Sequence, residues 1–313
     1  MSNSVTEPVL QVSNLTKIYG REFNLGEKTL VGQRVVGAQN VSFSVNKGEI
    51  FGFLGPNGAG KTTTMRAILD YLKIQSGTVT IFGLDHHRDR LELRKRIGYV
   101  PGDMALFENF SGEELLQYFS KFRPINDEFL AELRQNFRVK LKKKIKSLST
   151  GNRQQAGLIA ALAAKPDFLI LDEPTSGLDP LMTANFHKII RKLRNEGYTI
   201  FLSSHDLAEV QAVCDRVGII KEGKMILVEA VEDLKTKFMQ KARIQFNGSS
   251  VPSEEEITGL KTVISVERIK KDTFVLKIKE DVNELIQWLS NYDIKRFTLE
   301  DATLEEIFLQ FYE

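Results

Sequence analysis

The sequence predicts an α/β fold: a largely parallel sheet covered by helices, followed by a small α+β domain. Three observations carry this reading. The apolar runs Ile50-Phe51-Gly52-Phe53-Leu54, Phe168-Leu169-Ile170-Leu171 and Thr199-Ile200-Phe201-Leu202-Ser203 have the length and composition of buried strands. Amphipathic stretches at 62–72, 154–164 and 181–195 separate them with helical spacing. Buried strands alternating with helices build parallel sheets with both faces covered. After about Val228 the alternation stops.

In chain order, residues 9–12 and 41–45 alternate as antiparallel strands do, and the segment between Gly20 and Gly37 holds four glycines, which reads as a loop or a hairpin extension. The strand at 50–54 runs into glycine. Residues 108–146 read as helical, with Leu115, Leu116 and Phe119 on one face. Lys140, Lys142, Lys143, Lys144 and Lys146 cluster at its end, as a solvated helix terminus or as a contact for anionic lipid headgroups or an acidic partner. The strand at 168–171 ends in Asp172, and that at 199–203 ends near His205. Strand ends of this kind are where such sheets bind ligands. A short polar helix at 231–240 reads as a linker. Strands at 243–246, 262–269 and 273–278 follow, then a helix at 282–290 and a short strand at 296–298. A last helix starts at a capping box, Thr303 with Glu306, and carries Leu304, Ile307, Phe308 and Phe311. The domains expected are 1–230 and 231–313.

Composition narrows the function. The 313 residues hold 43 Lys+Arg against 41 Asp+Glu, a net charge of +2 that disfavours a dedicated nucleic-acid binder. One cysteine excludes a disulfide framework and a cysteine-based zinc site, and fits a reducing compartment. No apolar segment follows a basic N-terminus, so no secretory signal is expected. The longest apolar run, 156–164, is about nine residues, against the ~20 that span a bilayer.

Two motifs carry chemistry. Gly55-Pro56-Asn57-Gly58-Ala59-Gly60-Lys61-Thr62, followed by Thr63, fits G-x-x-x-x-G-K-[ST]. Its glycines let backbone N–H groups turn inward around phosphate oxygens. Lys61 brings a positive charge to the β- and γ-phosphates, Thr62 a hydroxyl to Mg²⁺, and the helix beginning near Lys61 points its positive end at the anion. The second motif is the strand end Asp172-Glu173. Asp172 suits Mg²⁺, which takes few protein carboxylates beside phosphate oxygens and water, and Glu173 can orient a water at the γ-phosphate.

With these motifs in place, residues 9–228 resemble the ATP-binding cassette of ABC transporters. Leu148-Ser149-Thr150-Gly151-Asn152 resembles the family signature LSGGQ, Ser176-Gly177-Leu178-Asp179 its D-loop, and His205 its switch histidine. A general P-loop kinase or GTPase reading accounts for neither the signature nor His205. The resemblance implies a P-loop ABC nucleotide-binding domain, with a mixed sheet and a helical subdomain at about 103–160. Its cofactors would be ATP and Mg²⁺. Tyr19 would stack on adenine, and Ser149 and Gly151, preceding a helix from Gln154, would contact the γ-phosphate of an ATP held by a second cassette. Asp179 would communicate across that dimer, and His205 would hydrogen-bond the γ-phosphate and Glu173. The tail, with Thr303-Leu304-Glu305-Glu306-Ile307-Phe308, resembles the accessory domain of drug-resistance and ABC-2 exporters, with a role in dimer support or regulation.

Three departures stand out. The family's Q-loop glutamine is replaced after Tyr99-Val100-Pro101 by Gly102 and Asp103, so Asp103 substitutes, water does, or coupling to the membrane partner is altered. Thr150 and Asn152 replace the usual Gly and Gln. The segment between Gly20 and Val41 is about a dozen residues longer than is usual. The function implied is a peripheral Mg-dependent ATPase at the cytoplasmic face of the membrane. It would pair with a second cassette, as homodimer or heterodimer, and power a separate integral-membrane permease, with export suggested by the tail. The competing readings are a soluble cassette acting on DNA or ribosomes, disfavoured by a single cassette without a heptad run, and a non-hydrolysing regulatory cassette. Glu173 and His205 argue against the latter, while Gly102 keeps it open.

Overall fold

The computed structural model describes residues 7–20, 22–25, 28–31, 34–237, 240–247, 251–278 and 282–301. The chain divides into two compact units, Met1–Glu229 and Ala230–Glu313.

The first unit opens with β1 (Leu10–Tyr19). The glycine-rich segment after it contains a hairpin, β2 (Glu22–Leu25) and β3 (Lys28–Val31). Then β4 (Val35–Val45) returns antiparallel to β1, with Leu10 opposite Val45. The wholly buried β5 (Ile50–Leu54) delivers the chain to the phosphate-binding loop and α1 (Lys61–Ile68). Strands β6 (Ser76–Ile81) and β7 (Leu84–Asp85) complete a four-stranded sheet in the order β4-β1-β6-β7. Helix α2 (Arg90–Arg96) and β8 (Ile97–Val100) follow.

The helical stretch expected at 108–146 is two helices, α3 (Gly112–Ser120) and α4 (Asp127–Asn136), and then a non-helical turn. Pro124 lies between the helices and disfavours helical geometry in the residue before it. Asn126 then restarts the helix, its side chain accepting from Phe129 N at 2.8 Å. Leu115 and Leu116 are buried, but Phe119 stands 40% exposed at the end of α3, its ring edge-on to Tyr118. The lysines at 140–144 lie in the turn and Lys146 in the short 3₁₀ segment Ile145–Ser147, so their cluster is not a helix end.

Helix α5 (Thr150–Leu162) begins four residues earlier than the apolar pattern suggests, because Ser149 caps it. Next come β9 (Phe168–Asp172), α6 (Pro180–Asn195), β10 (Thr199–Ser204), α7 (Leu207–Val213), β11 (Arg216–Lys221) and β12 (Lys224–Ala230). The second sheet has the order β12-β11-β5-β10-β9-β8. Its pairs β11–β5, β5–β10, β10–β9 and β9–β8 are all parallel. The turn Glu222-Gly223, with φ of 50° and 77°, connects β11 to β12 in the left-handed conformation of tight hairpins. The two sheets share one core: Phe43 of β4 stacks on Phe51 and Phe53 of β5, ring centroids 5.3 Å apart in both cases, and lies 5.5 Å from Phe201 of β10.

The second unit comprises α8 (Val231–Lys237), β13 (Gln240–Phe246), α9 (Glu254–Thr258), β14 (Val263–Lys270), β15 (Thr273–Ile278), α10 (Asn283–Leu289) and β16 (Ile294–Asp301). Helix α8 stops short of Gln240, which already belongs to β13. Helix α9 is unanticipated. Its signal is the capping box Ser253-x-x-Glu256, with Glu256 N donating to Ser253 Oγ at 3.2 Å and Ser253 N to Glu256 Oε2 at 3.3 Å. The sheet order is β14-β15-β13-β16, antiparallel throughout. One face buries Ala242, Ile244, Phe246, Phe274, Leu276 and Ile278. The helix expected from Thr303 lies outside the described residues. Among those residues no helix is long and apolar enough to cross a membrane.

Candidate active site

The phosphate-binding loop joins the carboxyl end of β5 to the amino end of α1, so loop amides and the positive helix end face one point. Gly58 and Gly60 adopt φ of 83° and 104°. A Cβ on Gly60 would lie 2.1 Å from Gly37 O, a backbone atom that cannot yield, so only glycine fits there. Lys61 is 5% exposed and folds back along the loop, donating to Gly55 O at 2.6 Å and Pro56 O at 3.2 Å. Its ammonium also lies 3.1 Å from Glu173 Oε1.

Asp172 ends β9 and Glu173 begins the loop beyond it. Glu173 has φ of 48°, a left-handed conformation that costs a non-glycine residue about 1–3 kcal/mol and turns its carboxylate toward Lys61. The other oxygen, Oε2, meets His205 Nδ1 at 2.5 Å. The structure thus brings together the loop lysine, Glu173 and the strand-end histidine.

Ser203, on β10 beside β9, is a site residue the sequence reading missed. Its hydroxyl donates to Asp172 Oδ1 at 2.6 Å and accepts from Glu173 N at 3.0 Å. One buried serine therefore orients both acids. The signal available was its register: Ser203 pairs with Asp172 across the parallel strands. Asp172 is fully buried and its Oδ2 has no hydrogen-bond partner. A buried carboxylate oxygen left free in this way suits a cation that takes its remaining ligands from Thr62, phosphate and water. The residues present therefore fit Mg²⁺.

Tyr99 on β8 is a further neighbour. Burial, together with the Asp172 carboxylate, pushes its phenol up to about 12, and the Arg66 guanidinium offsets only part of that. Asp103 is committed to Arg66 of α1, which donates to both carboxylate oxygens at 2.9 and 3.0 Å. The structure therefore ties Asp103 to α1. A Cβ on Gly102 would lie at an ordinary 3.4 Å from Asp172 O and Oδ2, so packing does not demand glycine there.

Tyr19, at the end of β1, stands 38% exposed with its hydroxyl 3.3 Å from Thr63 Oγ1, which ties the ring to the first turn of α1. Lys17 Nζ lies 5.2 Å from the ring centroid. Gly37 permits this approach: a Cβ there would come within 2.6 Å of Thr63 Cγ2 and 2.8 Å of Tyr19 Cε2.

Ser149, Gly151 and Asp179 form a second cluster. Ser149 Oγ accepts from Asn152 N at 3.4 Å as the N-cap of α5, and Gly151 sits inside the first helical turn and does not precede it. A Cβ on Gly151 would lie 2.5 Å from Gly177 O, so that turn packs directly on the loop leading to Asp179. Gln154 Nε2 donates to Pro174 O at 2.9 Å and ties α5 to the segment just after Glu173. Asp179 caps α6, its Oδ1 accepting from Met182 N at 2.8 Å.

Comparison with known proteins finds relatives of both units. A family model described as ABC transporter matches residues 38–176, and a model for the C-terminal domain of DrrA1-3-like ATP-binding proteins matches 230–312. An AAA-domain model, described as a putative AbiEii toxin of a type IV toxin–antitoxin system, matches 144–211. The linearmycin resistance ATP-binding protein LnrL of Bacillus subtilis is 30% identical over 316 residues, covering 96% of this chain and 97% of that protein. The bacitracin transport ATP-binding protein BcrA of Bacillus licheniformis is 34% identical over 235 residues, covering 73% and 72%. Among solved structures, an ATP-binding subunit of an ABC transporter is 27% identical with a TM-score of 0.62, over 72% of this chain and 92% of that one. A dimeric cassette bound to ADP and Pi, 23% identical over 71% and 98%, shares the fold at a TM-score of 0.60. By sequence over nearly its whole length and by fold, the chain belongs to the ATP-binding subunits of ABC transporters and is an ATPase of that family.

Proposed function

We propose that this ATPase powers export through a separate integral-membrane permease, from the cytoplasmic face of the membrane, with two cassettes closing around two ATP molecules. The match of residues 230–312 to a DrrA-like domain and the resistance and transport relatives support the outward direction. The observation that carries the chemistry is Glu173, held between Lys61 at 3.1 Å and His205 at 2.5 Å.

Each residue then has a role. The amides of Gly55–Thr63 and the Lys61 ammonium bind the phosphates, while Tyr19 stacks on the adenine. Glu173 orients a water for in-line attack, and His205 holds Glu173 in place and stabilises charge on the γ-phosphate. Ser203 keeps both acids in register. Mg²⁺, held by Thr62 and the free oxygen of Asp172, would neutralise charge on the β- and γ-phosphate oxygens. Ser149 and Gly151 serve the ATP of the opposing cassette, and Asp179 lies where the two cassettes meet. Hydrolysis removes the bridging γ-phosphate and reopens the pair, a two-state element biased by ligand.

Glu173→Gln keeps the shape of the side chain and removes its charge. It is expected to bind ATP, to lose turnover, and to run as an ATP-dependent dimer on size-exclusion chromatography. Undiminished hydrolysis by this variant would remove Glu173 from the mechanism.

A further inference from the structure

The described β13–β16 sheet has one face packed on a core and one open face, and the open face gathers cations. Gln245 of β13 stands opposite Arg296 of β16 and opposite Thr273 of β15. Arg243, two residues back on the same face, stands opposite Thr298. Lys270 of β14 completes the group by an irregularity. The register between β14 and β15 shifts between Arg268 and Lys270, so that Lys270, and not Ile269, pairs with Thr273. Such a bulge re-aims a side chain; here it brings a lysine into the row of Thr273, Gln245 and Arg296. These residues line a cleft of about 250 Å³, which suits a single phosphoryl group with its water and is small beside ordinary ligand pockets of about 300–1,000 Å³.

The cations are unspent. Arg243, Lys270 and Arg296 make no ion pair or side-chain hydrogen bond among the described residues. The neutral donors beside them are already engaged: Gln245 Nε2 donates to Asp272 Oδ2 and Thr273 Oγ1 to Asp272 Oδ1, both at 2.9 Å. Glu300 also lines the cleft, but it stands opposite Lys241, whose positive charge opposes its own. Three cations on one sheet, with Thr298 opposite Arg243, are a concentration of positive charge in a chain whose net charge is only +2.

We propose that this cleft on the C-terminal sheet binds a phosphate-bearing anion, gripped by Arg243, Lys270 and Arg296. Guanidinium groups match tetrahedral oxyanions through paired N–H donors, and lysine adds a point charge. The phosphate can belong to a membrane phospholipid headgroup or to a free phosphate ion, and the two sources are separable.

The test uses the full chain and the double variant Arg243→Gln/Arg296→Gln. In the first arm, both proteins are sedimented with vesicles of phosphatidylcholine containing a third phosphatidylglycerol, and with pure phosphatidylcholine. In the second, unfolding temperature is followed against inorganic phosphate at constant ionic strength, with the Lys61→Ala background removing the ATP site from the readout. Each surface cation near an anionic lipid is worth about 1 kcal/mol, or about fivefold, so the double variant should lose roughly 25-fold in vesicle affinity if the source is lipid. If the source is free phosphate, stabilisation by phosphate should disappear in the double variant while vesicle binding stays equal. A Lys142→Gln/Lys143→Gln control, in the other unit, should behave as wild type. A far-UV circular dichroism spectrum and a ligand-free unfolding temperature equal to those of wild type verify the fold of the double variant. The proposal is overturned if wild type responds to neither probe, or if the double variant and the control respond alike.

Discussion

The residues proposed for hydrolysis share one hydrogen-bond frame. Ser203 is the clearest case, because its single hydroxyl serves both Asp172 and Glu173. Ser203→Ala leaves the phosphate-binding loop intact but frees both acids. Loss of a group that orients a metal-binding carboxylate typically costs about 10–100-fold. Turnover should fall by that factor and the Mg²⁺ needed for half-maximal activity should rise, with ATP affinity unchanged in a nucleotide titration; wild-type kinetics would show the bridge to be incidental. Tyr99 makes a different statement. Its hydroxyl is buried beside the Asp172 carboxylate and the Arg66 guanidinium. The sign of the pH effect follows from the phenol being pushed up to about 12. Below pH 10 the folded and unfolded chains are both protonated there, and the group contributes no slope. Between about 10 and 12 the unfolded chain gives up its proton while the folded one keeps it, so stability falls as pH rises. Tyr99→Phe should flatten that part of the stability profile. Lys61, Asp172 and Glu173 were legible in the sequence because phosphate and Mg²⁺ chemistry restrict residue type at fixed spacing. Ser203 and Tyr99 were not, since a serine at a strand end and a tyrosine two residues before proline carry no such restriction; only strand register reveals their neighbours.

At the level of elements, strands were easier to read than helix ends. The apolar runs of β5, β9 and β10 coincide with buried strands because burial on both faces favours apolar side chains on both. Helix ends depend on caps and breakers, which periodicity overlooks: Ser149 extends α5 forward, Pro124 divides α3 from α4, and Ser253 starts α9. The early start of α5 has a functional consequence. It places Gly151 within the first turn, where the helix touches the backbone of Gly177. Gly151→Ala would force a Cβ to 2.5 Å from Gly177 O, and neither backbone can move without shifting α5 or the loop to Asp179. Because this cluster is separate from Lys61, the variant should bind ATP with wild-type affinity. It should be deficient in ATP-dependent dimerisation and in turnover, measured by size-exclusion chromatography and phosphate release. Normal dimerisation would mean that the contact with Gly177 does not set the position of the signature turn.

The molecule as a whole consists of two units with separate cores. One is built around Phe43, Phe51, Phe53 and Phe201, the other around Ile244, Phe246, Phe274 and Leu276. Every residue proposed to bind ATP or Mg²⁺ lies between Tyr19 and His205, within Met1–Glu229. Ligand that binds only the native state stabilises it by RT ln(1 + [L]/Kd), about 2.7 kcal/mol at a hundredfold excess over Kd. Because the site is confined to one unit, this free energy should enter one unfolding event and leave the other untouched. For a unit of this size each kcal/mol raises the midpoint by about 2–4 °C, so saturating Mg·ATP on the Glu173→Gln variant should lift one calorimetric transition by roughly 5–11 °C. The transition of Ala230–Glu313 should stay in place. In the Lys61→Ala background, inorganic phosphate without nucleotide should lift the second transition alone if the basic cleft on the C-terminal sheet binds the free ion, since Arg243, Lys270 and Arg296 all belong to the second unit. A single transition that moves as one with Mg·ATP would instead mean that the two cores unfold cooperatively, and that ATP binding in the cassette is felt throughout the chain.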